Sequence, residues 1–182
     1  IIPQIIKSGS AQKSLNIWSA ACSTGQEAYS IAMLLRENFP ELNNWKVKIV
    51  GTDLSEEVLD KARAGRFSQI EMNRGLPASL LTKYFVRDGL NWELTPQIRS
   101  LVTFSKLNLI ERWPPMPPYD VVFLRNVLIY FSPATKRMIL EKIRASMAPH
   151  AALFLGAAET TMNLDSEFVR VQIDNQVFYT RK

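Results

Sequence analysis

Four short stretches of this chain place polar side chains directly behind apolar or small residues. Glu27 follows Ser19-Ala20-Ala21-Cys22-Ser23-Thr24-Gly25, Asp53 follows Ile49-Val50-Gly51-Thr52, Asn108-Leu109 follows the run from Val102 to Ser105, and Arg125-Asn126 with Tyr130 follows Val121-Val122-Phe123-Leu124. The first stretch is the most specific. From Ile17 to Ile31 an apolar strand pattern breaks into small residues and then opens a helix, the outline of a nucleotide-binding βα turn. A phosphate-binding loop is rich in glycine, so that the backbone can approach a pyrophosphate, and it avoids a carboxylate at the helix start, where the dipole favours anions. This turn has one glycine, Gly25, and puts Glu27 in the first helical turn. The expected ligand is a nucleoside without phosphates that carries positive charge. S-adenosylmethionine, with its sulfonium and its ammonium, fits that description.

The other three stretches suit the same ligand, each beside a plainer alternative. Asp53 can accept hydrogen bonds from both ribose hydroxyls, or it can start the following helix. Asn108 can pair with an adenine edge while Leu109 covers the ring, or the two can be a turn and a core residue. Arg125 and Asn126 directly after an apolar run are costly to desolvate unless bound to something, which favours a ligand-binding role. Tyr130 can present its hydroxyl toward a transferring methyl group, or pack as a core aromatic with its hydroxyl satisfied. Cys22 has no neighbour that would lower its pKa, so no functional thiol is expected there. His150, the only histidine, falls in an expected Pro149-His150 turn with a structural role, and no metal site is expected.

These sites fall at the carboxyl ends of successive expected strands, where open α/β sheets bind ligands. Residues 1–9 look like the end of a helix punctuated by Gly9-Ser10. Strands are expected at Leu15–Ser19, Lys46–Thr52, Leu101–Lys106, Asp120–Leu124 and Ala151–Gly156, with helices at Gln26–Asn38, from Ser55 onward, and from Pro133 to about Met147. Ser55 is the expected N-cap of its helix, with Glu56 and Glu57 in the first turn and Lys61 and Arg63 near the end. Between Gly65 and Ser105 the rhythm breaks into a helix at Pro77–Tyr84 and a two-stranded element around Asp88-Gly89, so an inserted β subdomain is expected at about 84–100. Phe168–Ile173 and Gln176–Thr180 form an expected hairpin around Asp174-Asn175. The predicted fold is α/β: a class I S-adenosylmethionine-dependent methyltransferase, Rossmann-like, with a small inserted antiparallel β subdomain and a C-terminal β-hairpin.

With 182 residues, 47% of them hydrophobic, the chain suits one well-cored domain over 1–182. No apolar run approaches the roughly 18 residues needed to cross a bilayer, so no membrane insertion is expected. One cysteine excludes an intramolecular disulfide framework and suits a reducing cytoplasm. The net charge is +5, but no basic run reaches five residues. A solvated basic surface is therefore expected rather than a nucleic-acid face, and such a surface also attracts an acidic protein substrate. The opening Ile1-Ile2-Pro3 without an initiator Met suggests a piece of a longer protein.

The turn from Trp18 to Ala32 resembles that of the chemotaxis receptor methyltransferases, the CheR family, which reads W-S/C-A-A/G-x-S-T-G-E-E-P-Y-S-I-A. Gln26 and Ala28 depart from the first acid and the proline. The resemblance extends in order and spacing through Gly51-Thr52-Asp53-Leu54-Ser55, Val58 to Gly65, Asn108-Leu109 and Arg125-Asn126-Val127-Leu128-Ile129-Tyr130-Phe131. It implies that Glu27, Asp53, Asn108, Leu109, Arg125 and Asn126 contact S-adenosylmethionine, and that Tyr130 and Arg125 stand at the reacting centre. It also implies methylation of glutamate side chains on the signalling helices of chemoreceptor cytoplasmic domains, with S-adenosylhomocysteine as product. The family's upstream helical domain and its T-x-F-F-R segment have no counterpart here. That keeps two alternatives open: a non-catalytic CheR-like cofactor-binding or interaction module, or a class I methyltransferase with another substrate. In some relatives the β subdomain docks a short receptor tethering peptide through a longer, glycine-containing loop. The compact hairpin here predicts no such docking, and the chain is expected to be a cytoplasmic monomer.

Overall fold

The computed structural model describes residues 1–8 and 13–182, so the predicted stop at Gly9-Ser10 lies outside the described residues. After helix α1 (Ile2–Ser8), strand β1 (Ser14–Ala20) leads into α2 (Gln26–Asn38), and β2 (Lys46–Asp53) leads into α3 (Glu56–Ala64). Pro40 stops α2 and opens a 3-10 turn at Pro40–Asn44. Ser55 caps α3 as expected: its Oγ accepts from the Val58 amide, and Gly65 closes the helix in the left-handed region. The second half adds β6 (Val102–Lys106), β7 (Tyr119–Leu124), α7 (Pro133–Ser146), β8 (Met147–Leu155), β9 (Phe168–Ile173) and β10 (Gln176–Arg181). The elements between α3 and β6 belong to the insertion.

Among the described residues, seven strands form one sheet in the order β6-β2-β1-β7-β8-β10-β9. The first five run parallel, and β10 lies antiparallel between β8 and β9. Alternation along the strands builds two cores. One face carries Leu15, Ile17 and Val121 against Ala28, Tyr29 and Ala32 of α2. The other carries Trp18, Val122 and Leu153 against Ile139, Leu140 and Ile143 of α7. The order reverses between β1 and β7, so the crevice of an open α/β sheet lies between their carboxyl ends.

The insertion is larger than predicted. It holds β3 (Arg66–Ser68), α4 (Gln69–Met72), α5 (Ala78–Tyr84), β4 (Phe85–Asp88), β5 (Asn91–Leu94) and α6 (Pro96–Arg99). Its sheet has three strands in the order β3-β5-β4, the first of them at Arg66–Ser68, ahead of the expected start near 84. Three residues directly behind a helix-capping glycine are too few to show an alternation, which is why β3 is silent in the sequence. His150 also departs from expectation, because it lies inside β8. The β7 and β8 ladder shifts register between Tyr119 and Val121. Pro149 fits at that irregularity, and His150 Nε2 stands 3.1 Å from Asp120 Oδ1.

Candidate functional site

The turn after β1 holds left-handed backbone at two residues that are not glycine. Ala21 (φ 58°) and Ser23 (φ 51°) both adopt that conformation, followed by Gly25 at φ 81°. The end of β2 holds them there. The Cys22 amide donates to the Thr52 carbonyl at 2.9 Å, and the Ser23 amide donates to Asp53 Oδ2 at 2.8 Å. Gly25 is required twice over, because a Cβ on it would lie 2.8 Å from Phe104 Cζ and 3.0 Å from Ala62 Cβ. Beneath the turn, the buried Trp18 ring stacks on Tyr119 and donates from Nε1 to Thr52 Oγ1 at 2.9 Å.

Asp53 closes β2 and joins this turn to the next, since Oδ1 accepts from the Ser55 amide at 3.1 Å. The capping role belongs to Ser55, so Asp53 is not the N-cap. Each carboxylate oxygen can accept more than once, which leaves the half-buried Asp53 acceptor capacity for hydroxyl donors. Burial pushes the Cys22 thiol up to about 12, with the nearby Asp53 carboxylate adding to the effect, so the thiol is inert.

The structure brings Glu27 and Arg125 together across 98 residues of sequence. Arg125 Nη1 donates to Glu27 Oε2 at 3.0 Å, and the buried Ser19 hydroxyl donates to Oε1 at 2.8 Å. The Arg125 side chain is 46% exposed and that of Glu27 24%, so the pair opens to a ligand on one side. Beyond Arg125 a cavity of about 740 Å³ opens at the carboxyl ends of β7 and β8. Arg125, Arg170, Gln176 and Glu159 line it, with Phe123 and Phe154 among its apolar walls.

The remaining predicted residues are placed differently. Asn108 ties its own turn, accepting from the Ile110 amide at 3.2 Å and donating to Glu111 Oε1 at 3.0 Å. Leu109 packs in the second core at 7% exposure. The Asn126 backbone is left-handed at φ 58°. Tyr130 ends a 3-10 turn (Leu128–Tyr130) and is 77% exposed, which removes the core-aromatic alternative. Sequence reasoning missed Ser19 and Glu159. A hydroxyl inside the buried run Ile17-Trp18-Ser19-Ala20 was the available signal for the first, and an acid shortly after the buried β8 for the second.

The model of the family described as CheR methyltransferase, SAM binding domain, matches residues 1–177. The chain belongs to this family. S-adenosylmethionine-dependent methyl transfer is the chemistry of the CheR domain, and S-adenosylmethionine its cofactor. Chemotaxis protein methyltransferase 1 of Pseudomonas aeruginosa is 42% identical over the whole of this chain and 68% of its own length. Chemotaxis protein methyltransferase Cher2 of Pseudomonas putida is 39% identical over the whole chain and 67% of its own length. The chain therefore spans about two thirds of these curated relatives. A TehB-like S-adenosylmethionine-dependent methyltransferase from Corynebacterium glutamicum shares the fold, with a TM-score of 0.56 at 11% identity over 98% of this chain and 86% of that one.

The charges these residues carry are complementary to those of this cofactor. Glu27 and Asp53 offer two carboxylates and Arg125 one guanidinium, a local charge of −1 facing a ligand whose sulfonium, ammonium and carboxylate sum to +1. An ion pair open on one side suits the ligand's own ammonium and carboxylate, each charge meeting its opposite.

Proposed function

We propose that this domain transfers the methyl group of S-adenosylmethionine to glutamate side chains on the signalling helices of chemoreceptors, leaving a γ-glutamyl methyl ester and S-adenosylhomocysteine. The observation that carries the reading is the position of Arg125, between Glu27 on the cofactor side and the 740 Å³ cavity on the other. Glu27 takes the cofactor's ammonium, Asp53 the ribose hydroxyls, the turn that carries Asn108 and Leu109 the adenine, and Arg125 and Asn126 the rest of the methionyl end. Tyr130 stands beside the methyl group. The acceptor carboxylate approaches through the cavity, drawn by Arg125 and Arg170.

The reaction is an in-line displacement at the sulfonium methyl by a carboxylate oxygen. A glutamate with a pKa of about 4.3 is ionised at neutral pH, so no general base is required. The domain's task is alignment, partial desolvation of the acceptor, and tolerance of two charges that cancel as the bond forms. The acceptor belongs to the cytoplasmic part of a receptor, and the domain, one catalytic unit with an inserted sheet, works there as a monomer without binding nucleic acid. No helix among the described residues is long and apolar enough to cross a membrane.

The test is full-length protein with methyl-labelled S-adenosylmethionine and a receptor cytoplasmic fragment. Label should appear on the receptor, be released as methanol by mild base, and fall at least tenfold with Arg125→Ala. Label that survives base, or transfer undiminished in that variant, would overturn the reading.

A further inference from the structure

Glu159 makes the densest set of hydrogen bonds to a single carboxylate in the site, and none of the assigned roles uses it. Its Oε1 accepts from the amides of Val127 at 2.9 Å, Leu128 at 2.7 Å and Ile129 at 3.4 Å. Its Oε2 accepts from the amides of Asn126 at 2.8 Å and Gly156 at 2.7 Å. Four successive amides of the segment after β7 therefore converge on one anion delivered from the loop after β8. This accounts for two local oddities. Asn126 holds the left-handed conformation that an L residue ordinarily avoids. Gly156 has no space for a side chain, because a Cβ there would lie 2.6 Å from Glu159 Oε2 and 2.8 Å from the Asn126 amide nitrogen.

We propose that Glu159 is a positioning residue for methyl transfer: its carboxylate sets the backbone from Asn126 to Ile129, and through it the placement of Arg125 against Glu27 and of Tyr130 at the end of the 3-10 turn. The proposal rests on the methyl-transfer reading. The anion is what the site requires, since each oxygen must accept from at least two donors, and charge-assisted bonds of this kind are the stronger ones. An isosteric glutamine has one acceptor oxygen. With that oxygen toward Val127 and Leu128, its NH2 faces the amides of Asn126 and Gly156, donor against donor. The contacts proposed for Glu27 and Asp53 sit on other loops and stay in place, so cofactor affinity loses only part of what Arg125 and Asn126 add, while turnover loses the alignment of Arg125 and Tyr130 together.

The experiment compares full-length wild-type, Glu159→Gln and Glu159→Asp proteins. Three quantities are read: kcat per cofactor-binding site counted by calorimetry, the affinity for S-adenosylhomocysteine, and the amide NMR signals of residues 126–129 and 156. Glu159→Gln should lower kcat at least tenfold, weaken S-adenosylhomocysteine less than fivefold, and move the Asn126 and Gly156 signals more than that of Leu128. If the glutamine variant does not fold, Glu159→Asp carries the test, because it keeps the charge but draws it back by one methylene and should also lower kcat. Wild-type kcat per binding site in a variant whose Asn126 and Gly156 signals have moved would overturn the proposal. Unmoved signals in Glu159→Gln would overturn the geometry itself. Lack of transfer by the unmodified protein would count against the functional reading instead, and the amide signals would still decide whether the carboxylate sets the loop.

Discussion

The Cys22 thiol sits in the turn after β1, and burial, with Asp53 and then Glu27 nearby, raises its pKa from about 9 to about 12. A group whose pKa is higher in the folded than in the unfolded chain stabilises the fold fully below the unfolded value and loses that contribution as pH rises through the folded one. Cys22 should therefore be unreactive toward a disulfide reagent at pH 8, and the unfolding midpoint of the wild type should fall between pH 9 and 12 more than that of Cys22→Ala. Rapid modification of the folded chain at pH 8 would contradict this. Cys22 was legible from the sequence, because its neighbours are small or acidic. Glu27, Asp53 and Arg125 were legible as polar groups behind apolar runs. Their partners were not: Ser19 meets Glu27 eight residues away, Arg125 meets it 98 residues away, and Glu159 binds amides about 30 residues distant. Such pairs exist only once the strands lie side by side.

At the level of elements, α7 does more than cover the sheet. Lys142 reaches from it to donate to the carbonyls of Leu109 at 2.5 Å and Glu111 at 2.7 Å, with its ammonium 4.6 Å from the centroid of the Trp113 ring. The turn that carries Asn108 is thereby anchored to a helix 33 residues further along the chain. Lys142→Met keeps the aliphatic stem but strands the part-buried Leu109 carbonyl, while the exposed Glu111 carbonyl turns to water, at a cost of about 1 kcal/mol. Urea unfolding should show that loss, and S-adenosylhomocysteine should bind several-fold more weakly because the turn proposed to hold the adenine is released. Unchanged stability and affinity would mean that the turn holds itself. The parallel strands were legible because buried β-branched runs alternate with helical spacing. The third strand of the insertion was not, being three residues long, and neither was the irregularity that draws Pro149 and His150 into β8.

For the whole molecule, the sheet order β6-β2-β1-β7-β8-β10-β9 places Glu27, behind the turn after β1, and Asp53, at the end of β2, on one side of the switch and the cavity beyond β7 on the other. The inserted three-stranded sheet packs against α2 through Phe67, Phe85 and Leu94 in the first core. Its hairpin turns between Asp88 and Asn91 through Gly89 and Leu90 alone, and the expectation of no peptide docking rests on that short connection. A fluorescently labelled receptor C-terminal peptide should show no saturable binding to the chain, and tight binding lost on altering this hairpin would reverse that expectation. Most directly at stake is the claim that the turns after β1 and β2, joined by Asp53, form the cofactor site. Calorimetric titration of S-adenosylhomocysteine into the chain and into Asp53→Ala measures it without any knowledge of the acceptor. Micromolar binding that weakens at least tenfold in the variant, a loss of about 1.4 kcal/mol or more, is the predicted result. A well-folded wild type that binds nothing, or a variant that binds as tightly as wild type, would contradict it.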